Sequence, residues 1–314
     1  MMRVLVTGGT GFIGGAIVRA LRALGSDHDV RCLSRRAGSP SAAAGGVPAI
    51  AGDVRDPSSL RRAVDGMDAV VHCVQFPNHP VENPRRGYTY AAIDGQGTVN
   101  LAAACRDAGV RRLLYLSGAG VRPGRTEPWF RAKEIAERAV RDSGCEWVIF
   151  RPSWVYGARD RSLNRFVQMV RWLPVVPVIG SGQTRVQPVL VDDVARVVAL
   201  AVGQPRAAGQ VFELGGPERL SMDEILRTVQ RVLGRHQPLV HVPVALVKLQ
   251  AALLARLPNP PLSPAAIDFI LMDETVDPRP AEALFGVTFR GLEAGLRTYL
   301  GAPGNQRHPA AGTA

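Results

Sequence analysis

Lysine is almost absent from this chain and cysteine is scarce. Of 38 basic residues in 314, only Lys133 and Lys248 are lysines. An arginine bias of this kind reflects codon usage more than function, so a retained lysine draws attention. The four cysteines, Cys32, Cys73, Cys105 and Cys145, are scattered with no C-x-x-C pair. That spacing fits neither a zinc site nor a disulfide framework, and no metal is expected. No run reaches the roughly 18 apolar residues that a membrane span needs. No signal-peptide pattern precedes the first predicted strand, and no internal repeat recurs; a cytoplasmic protein is expected. The formal net charge of +11 would suit nucleic acid, an anionic membrane or an acidic partner. The arginines are dispersed, however, without a dense run or interleaved aromatics, so nucleic acid is not an expected partner.

What the chain has in quantity is glycine, and the first cluster organises the rest. Thr7-Gly8-Gly9-Thr10-Gly11-Phe12-Ile13-Gly14 follows the apolar run Arg3-Val4-Leu5-Val6, which reads as a buried strand. Ile13, Ile17 and Leu21 then recur at helical spacing, with Gly25 as the stop. Glycines where a strand turns directly into a helix form a dinucleotide-binding fingerprint. Gly8 takes the turn, Gly11 lets the backbone approach a pyrophosphate and Gly14 lets helix and strand pack closely. The helix N-terminus presents its N–H groups to the phosphates.

Strands and helices then alternate with short turns, which predicts a doubly wound parallel sheet. The second strand, 30–33, ends in Ser34-Arg35-Arg36, where an NAD site would place an acid for the ribose 2′-hydroxyl. Ser34 takes that place, and the two arginines that follow suit a 2′-phosphate, so NADP(H) is expected over NAD(H). Asp53, closing the third strand, is either an acceptor for the adenine amino group or a turn or helix cap before Pro57. His72 and Cys73 near the end of the fourth strand read as packing residues rather than catalysts. The loop from Gln75 to Tyr88 has the length of a lid. Strands follow over 110–116, ending at Ser117, over 147–150, 186–191 and 210–214, and Asp192-Asp193 reads as an N-cap. Ser221-Met222-Asp223-Glu224 is a capping box. The expected organisation is a dinucleotide-binding domain over 1–175, to which 185–215 returns. A smaller, mainly helical lobe over 216–300 and a disordered tail over 301–314 follow.

These pieces resemble the short-chain dehydrogenase/reductase superfamily in its extended and atypical, epimerase-like branches. The resemblance rests on the T-G-G-T-G-F-I-G loop, Gly52-Asp53-Val54, Gly97-Thr98-x-Asn100-Leu101, Ser117, Lys133, Arg151-Pro152-Ser153 and Val191-Asp192-Asp193-Val194-Ala195, in family order. Within it, 173–180, 212–218 and Pro260-Pro261-Leu262-Ser263 are most similar to the group holding the nucleotide-binding accessory subunit of respiratory complex I and its bacterial relatives. The resemblance implies a Rossmann-type fold and cofactor contacts at Gly8, Thr10, Gly11, Phe12, Ile13, Arg35, Arg36, Asp53, Val54, Cys73, Lys133 and Pro152. It implies Lys133 and Ser117 as catalytic positions, with Lys133 gripping the nicotinamide ribose.

One departure bears on activity. The superfamily signature is Tyr-x-x-x-Lys, and the tyrosine position here is Trp129, in Trp129-Phe130-Arg131-Ala132-Lys133. An indole N–H donates a hydrogen bond but does not titrate usefully. The isoflavone-reductase-like group resembles this arrangement and still reduces substrates. Two classes of function stay open: an NADP(H)-dependent oxidoreductase on an apolar small molecule, or a non-catalytic NADP(H)-binding accessory or sensor protein of a larger assembly. The helix expected over 244–257 is apolar nearly all round. It is expected either to be buried by the second lobe or to meet an anionic bilayer or membrane-bound partner at the inner face of the membrane.

Overall fold

The computed structural model describes residues 1–25, 28–35, 46–77, 79–254, 267, 271–273 and 275–301. Arg36, residues 255–257 of the apolar helix, 260–263 and the tail beyond 301 lie outside the described residues.

Seven β-branched or apolar runs assemble one parallel sheet: β1 (Arg3–Thr7), β2 (Asp29–Ser34), β3 (Ala49–Ala51), β4 (Ala69–His72), β5 (Arg112–Leu116), β6 (Glu146–Pro152) and, later in the chain, β11 (Gln210–Leu214). β4 and β5 are buried along their whole length, as strands covered by helices on both faces must be. The sheet order is β11-β6-β5-β4-β1-β2-β3. β1 therefore has β2 on one side and β4 on the other. The strand order reverses there, and the crevice at the carboxyl ends of β1 and β4 is where such sheets bind ligands. The predicted Rossmann-type architecture is what the chain adopts.

Helices α1 (Phe12–Ala23) and α6 (Val191–Val202) share one apolar core against the sheet. The other face is covered by α2 (Pro57–Val64), α3 (Gln96–Asp107) and α4 (Pro128–Arg141). A third core lies beyond the sheet, built from α5 (Leu163–Trp172), α7 (Met222–Leu233) and the helix Leu292–Leu300. The capping box at Ser221 and Glu224 is present, and Gly234 closes α7 in a left-handed conformation.

The strand expected over 186–191 is instead two short pieces. Arg185–Val186 (β9) pairs with Leu220–Ser221 (β12), and Val189–Leu190 (β10) with Val155–Tyr156 (β7). Pro188 lies between them and has no N–H for a ladder. The buried Gln187 amide makes its bonds through the side chain, to Gly216 O and Val276 N. The N-cap expected of Asp192-Asp193 is also corrected. α6 already begins at Val191, with Leu190 as N-cap, so both acids sit in the first turn. There they favour the positive end of the helix dipole. Asp193 in addition accepts from the backbone N–H and the guanidinium of Arg290, pinning the C-terminal segment to α6.

Two features of the packing could not be placed from the sequence. Arg112, at the start of β5, is fully buried and donates to the carbonyls of Ala201, Val202 and Gln204, each at 3.0 Å. It thereby satisfies the C-terminal end of α6 from inside the protein. The apolar helix, α8 (Val244–Leu254), continues from β13 (Leu239–Val242), which pairs with β8 (Val176–Ile179). Ala251 is buried, whereas Leu246, Leu249 and Leu253 are 46%, 58% and 63% exposed. Among the described residues no helix is long and apolar enough to cross a membrane.

Candidate functional site

The glycine loop is shaped by contacts that only hydrogen at Cα allows. Gly8 adopts φ +76, and a Cβ there would lie 2.8 Å from Cys73 O. A Cβ on Gly14 would lie 2.2 Å from Gly8 O. The Gly11 N–H donates to Gly8 O at 2.8 Å, and Gly11 is the N-cap of α1 with no side-chain cap and no acid in the first turn. The N-terminal N–H groups of α1 thus face the crevice without a competing side chain, and Thr10 and Gly11 are exposed with Phe12 and Ile13 half-buried beside them. This is a cradle fitted to a pyrophosphate.

Beneath it, Cys73 donates its thiol to Thr7 O at 2.9 Å, and burial pushes that thiol up to about 12. His72 is fully buried, bonded to Thr7 Oγ1 at 2.6 Å and Thr98 Oγ1 at 2.9 Å. Burial pushes the ring down to about 3, so it stays neutral. Both residues brace the floor of the loop. Val54 is buried against Gly97, and Pro152 O accepts from the Ala119 N–H.

Asp53 serves a turn and not a helix cap: it accepts from the Arg55 N–H at 2.9 Å, whereas Asp56 caps α2 by accepting from Ser58 N. Asp53 is held by Arg55, whose Nη2 lies 2.6 Å and Nε 3.1 Å from its carboxylate. That bond, with Arg35 nearby, keeps the Asp53 carboxyl below its usual range against the opposing effect of burial. Arg35 Nη1 donates to Tyr88 Oη at 3.2 Å. Tyr88 arrives there on the segment expected as a lid, which turns at Asn83–Tyr88.

The other end of the crevice departs from the expected arrangement. Ser117 directs its hydroxyl to Glu137 Oε1 at 2.7 Å, and Arg151 and Arg141 close on the same buried carboxylate. The next residue, Gly118, packs under the Trp129 ring, where a Cβ would lie 2.5 Å from the indole carbons. Lys133 does not project into the crevice. It is 4% exposed, and its Nζ lies 3.1 Å from Oδ1 of the fully buried Asp94 and 5.3 Å from the centroid of the Tyr115 ring. Burial alone would push the lysine down, but Tyr115 and Asp94 outweigh it and hold the ammonium above its ordinary range. Asp94 is presented by the π-helical turn Tyr90–Gly95. Irregular turns of this kind re-aim a side chain. Phe76 and His79 of the lid segment stack on each other, and Tyr90, which opens the π-helical turn, meets both edge-on, with ring centroids 4.8–5.8 Å apart.

The structure thus brings together Arg35 and Asp53 beside the strand that leads into the glycine loop, and commits Ser117 and Lys133 to different carboxylates, Glu137 and Asp94. Asp94, Glu137 and Arg55 escaped the sequence reading; Tyr88 was placed on the expected lid, without its contact to Arg35. The Asp94 carboxylate carries no local signature, since its partner lies on another helix. Among the described residues no cluster of metal-ligating side chains occurs.

The sequence profile of the NAD dependent epimerase/dehydratase family matches residues 4–215. The mitochondrial NADH dehydrogenase (ubiquinone) 1 alpha subcomplex subunit 9 of Mus musculus is 29% identical over 71% of this chain. The match spans only 59% of that protein's length. The 2-alkyl-3-oxoalkanoate reductase of Stenotrophomonas maltophilia is 30% identical over 74% of this chain and 76% of its own length. Among solved structures, the UDP-glucose 4-epimerase of Thermus thermophilus in complex with NAD superposes with a TM-score of 0.72. It is 25% identical, and the superposition covers 96% of this chain and 100% of that one.

Proposed function

Because this chain belongs to the NAD dependent epimerase/dehydratase family, we propose that it binds NADP(H) in preference to NAD(H) and holds it without turning it over. The glycine cradle fits a dinucleotide, and Arg35 follows Ser34, which stands where an acid would hold a 2′-hydroxyl. When bound, the cofactor would supply hydride chemistry; Gly8, Thr10, Gly11, Phe12, Ile13 and Arg35 would hold it.

The observation that carries the second half of this reading is the Lys133–Asp94 ion pair. A lysine that grips a ribose or passes a proton must reach the crevice, and this one is neutralised inside the protein. Ser117 is engaged by Glu137, and Trp129 offers no titrating group. Among the described residues no proton donor of the signature type faces the nicotinamide end. Titration of NADPH and NADH, followed by cofactor fluorescence, tests the preference. NADPH is expected to bind about tenfold or more tightly, since charge-assisted bonds contribute ~1.5–3 kcal/mol each. Arg35→Ala should remove that margin. Equal affinities in the unaltered protein would defeat the preference, and steady NADPH oxidation with a small carbonyl compound would defeat the non-catalytic reading.

Such a protein acts as a component of an assembly, and α8 supports attachment at the inner face of a membrane. Leu246, Leu249 and Leu253 present apolar surface on a basic protein, and both properties favour an anionic bilayer. Sedimentation with phosphatidylserine-containing liposomes is expected at low salt and is weakened by Leu249→Asp. Absence of sedimentation at low salt would assign this face to a protein neighbour instead.

A further inference from the structure

We propose that Arg55, together with Arg35, forms a two-cation notch that recognises a monoester phosphate on the adenosine ribose of the cofactor, with Tyr88 lying across it until the phosphate arrives. This rests on the NADP(H) reading and adds to it a specificity-determining residue outside the usual fingerprint positions. β2 and β3 are parallel neighbours, with Ser34 opposite Ala51, so the segments leaving them open side by side at the carboxyl edge of the sheet. Arg35 leaves β2 directly, and Arg55 follows β3 after the turn at Gly52-Asp53. Both guanidinium carbons lie 5.5 Å from the centroid of one ring, that of Tyr88. The two cations therefore converge on a shared volume.

Arg55 is oriented rather than consumed by its partners. Its Nε and Nη2 donate to Asp53, and Nη1 donates to Arg86 O at 3.2 Å. A guanidinium has five N–H donors, so an N–H on each terminal nitrogen remains for an incoming oxygen. The approach is close because Gly87, at φ +64, turns the lid beside it; a Cβ there would lie 3.2 Å from Arg55 Nη1. Arg35 meanwhile donates to the Tyr88 hydroxyl oxygen. A phosphate oxygen is the stronger acceptor for a guanidinium, and a phosphate presents several oxygens at once. The phosphate therefore takes the phenol's place on Arg35 and engages Arg55 from the other side.

Calorimetric titration with adenosine 2′,5′-bisphosphate and with 5′-AMP isolates the adenosine end. The unaltered protein is expected to bind the bisphosphate more tightly. Arg55→Ala should weaken the bisphosphate and NADPH about tenfold while leaving 5′-AMP and NADH unchanged. If Arg55→Ala keeps the full bisphosphate preference while Arg35→Ala abolishes it, Arg55 is no part of the notch and NADP(H) selection stands without it. Equal weakening of both nucleotides would make Arg55 a support for Asp53 only, and would also overturn the proposal. If the unaltered protein shows no bisphosphate preference, the NADP(H) reading itself falls.

Discussion

Replacing Lys133 by Met, or Asp94 by Leu, is expected to lower unfolding stability by about 3–5 kcal/mol, and the double replacement by much less than the sum. The two charges are 3.1 Å apart in the interior, with Asp94 fully buried and Lys133 nearly so. Removing one leaves the other without a counter-charge in a dry environment. The orphaned group then sheds or gains a proton, which limits the cost but does not remove it. Removing both leaves an apolar site of similar volume, against which a buried ion pair has little net advantage. Urea denaturation at neutral pH of the four proteins completes the cycle. Additive losses would mean that Lys133 and Asp94 do not share an interaction.

The second large effect is expected at Arg112. Arg112→Met should cost about 3 kcal/mol or more, because three inward carbonyls lose their donor and each unsatisfied buried group costs about 1–3 kcal/mol. The carbonyls belong to Ala201 and Val202 at the end of α6 and to Gln204 just beyond it, where a cation also opposes the negative end of the helix dipole. Glu146 holds the guanidinium in register at 2.6 Å. Arg112→Lys should recover only a small part, since a point charge with three donors cannot span this fork of acceptors. Thermal unfolding compares the three proteins; a lysine variant as stable as the original would show that charge alone suffices. The effect would be structural and distant from the crevice, so cofactor affinity of the folded variant should be unchanged.

These two positions mark where sequence reasoning reaches its limit. The glycine loop was legible because its demands are local: a left-handed turn at Gly8 and a close approach at Gly14 are properties of a few consecutive residues. The parallel sheet was legible because burial on both faces writes itself into continuous apolar runs. The place of Arg35 followed from its position after β2. The capping box at Ser221 and Glu224 was legible for the same reason, since both partners lie within one turn.

What the sequence alone could not assign was which charge meets which. Arg112 reads as one arginine in a chain full of them, and its acceptors lie 89–92 residues later. Asp193 reads as a helix cap until Arg290, 97 residues on, is seen to claim it. Lys133 and Ser117 read as partners in one catalytic set, yet the fold turns Ser117 toward Glu137 and Lys133 toward Asp94. Backbone conformation and apolar periodicity are set by neighbours along the chain, so this protein's sequence determined its architecture and its dinucleotide cradle. Ion pairs form through space between elements whose faces are chosen only when the core packs, so the tertiary structure alone decided the fate of its buried charges.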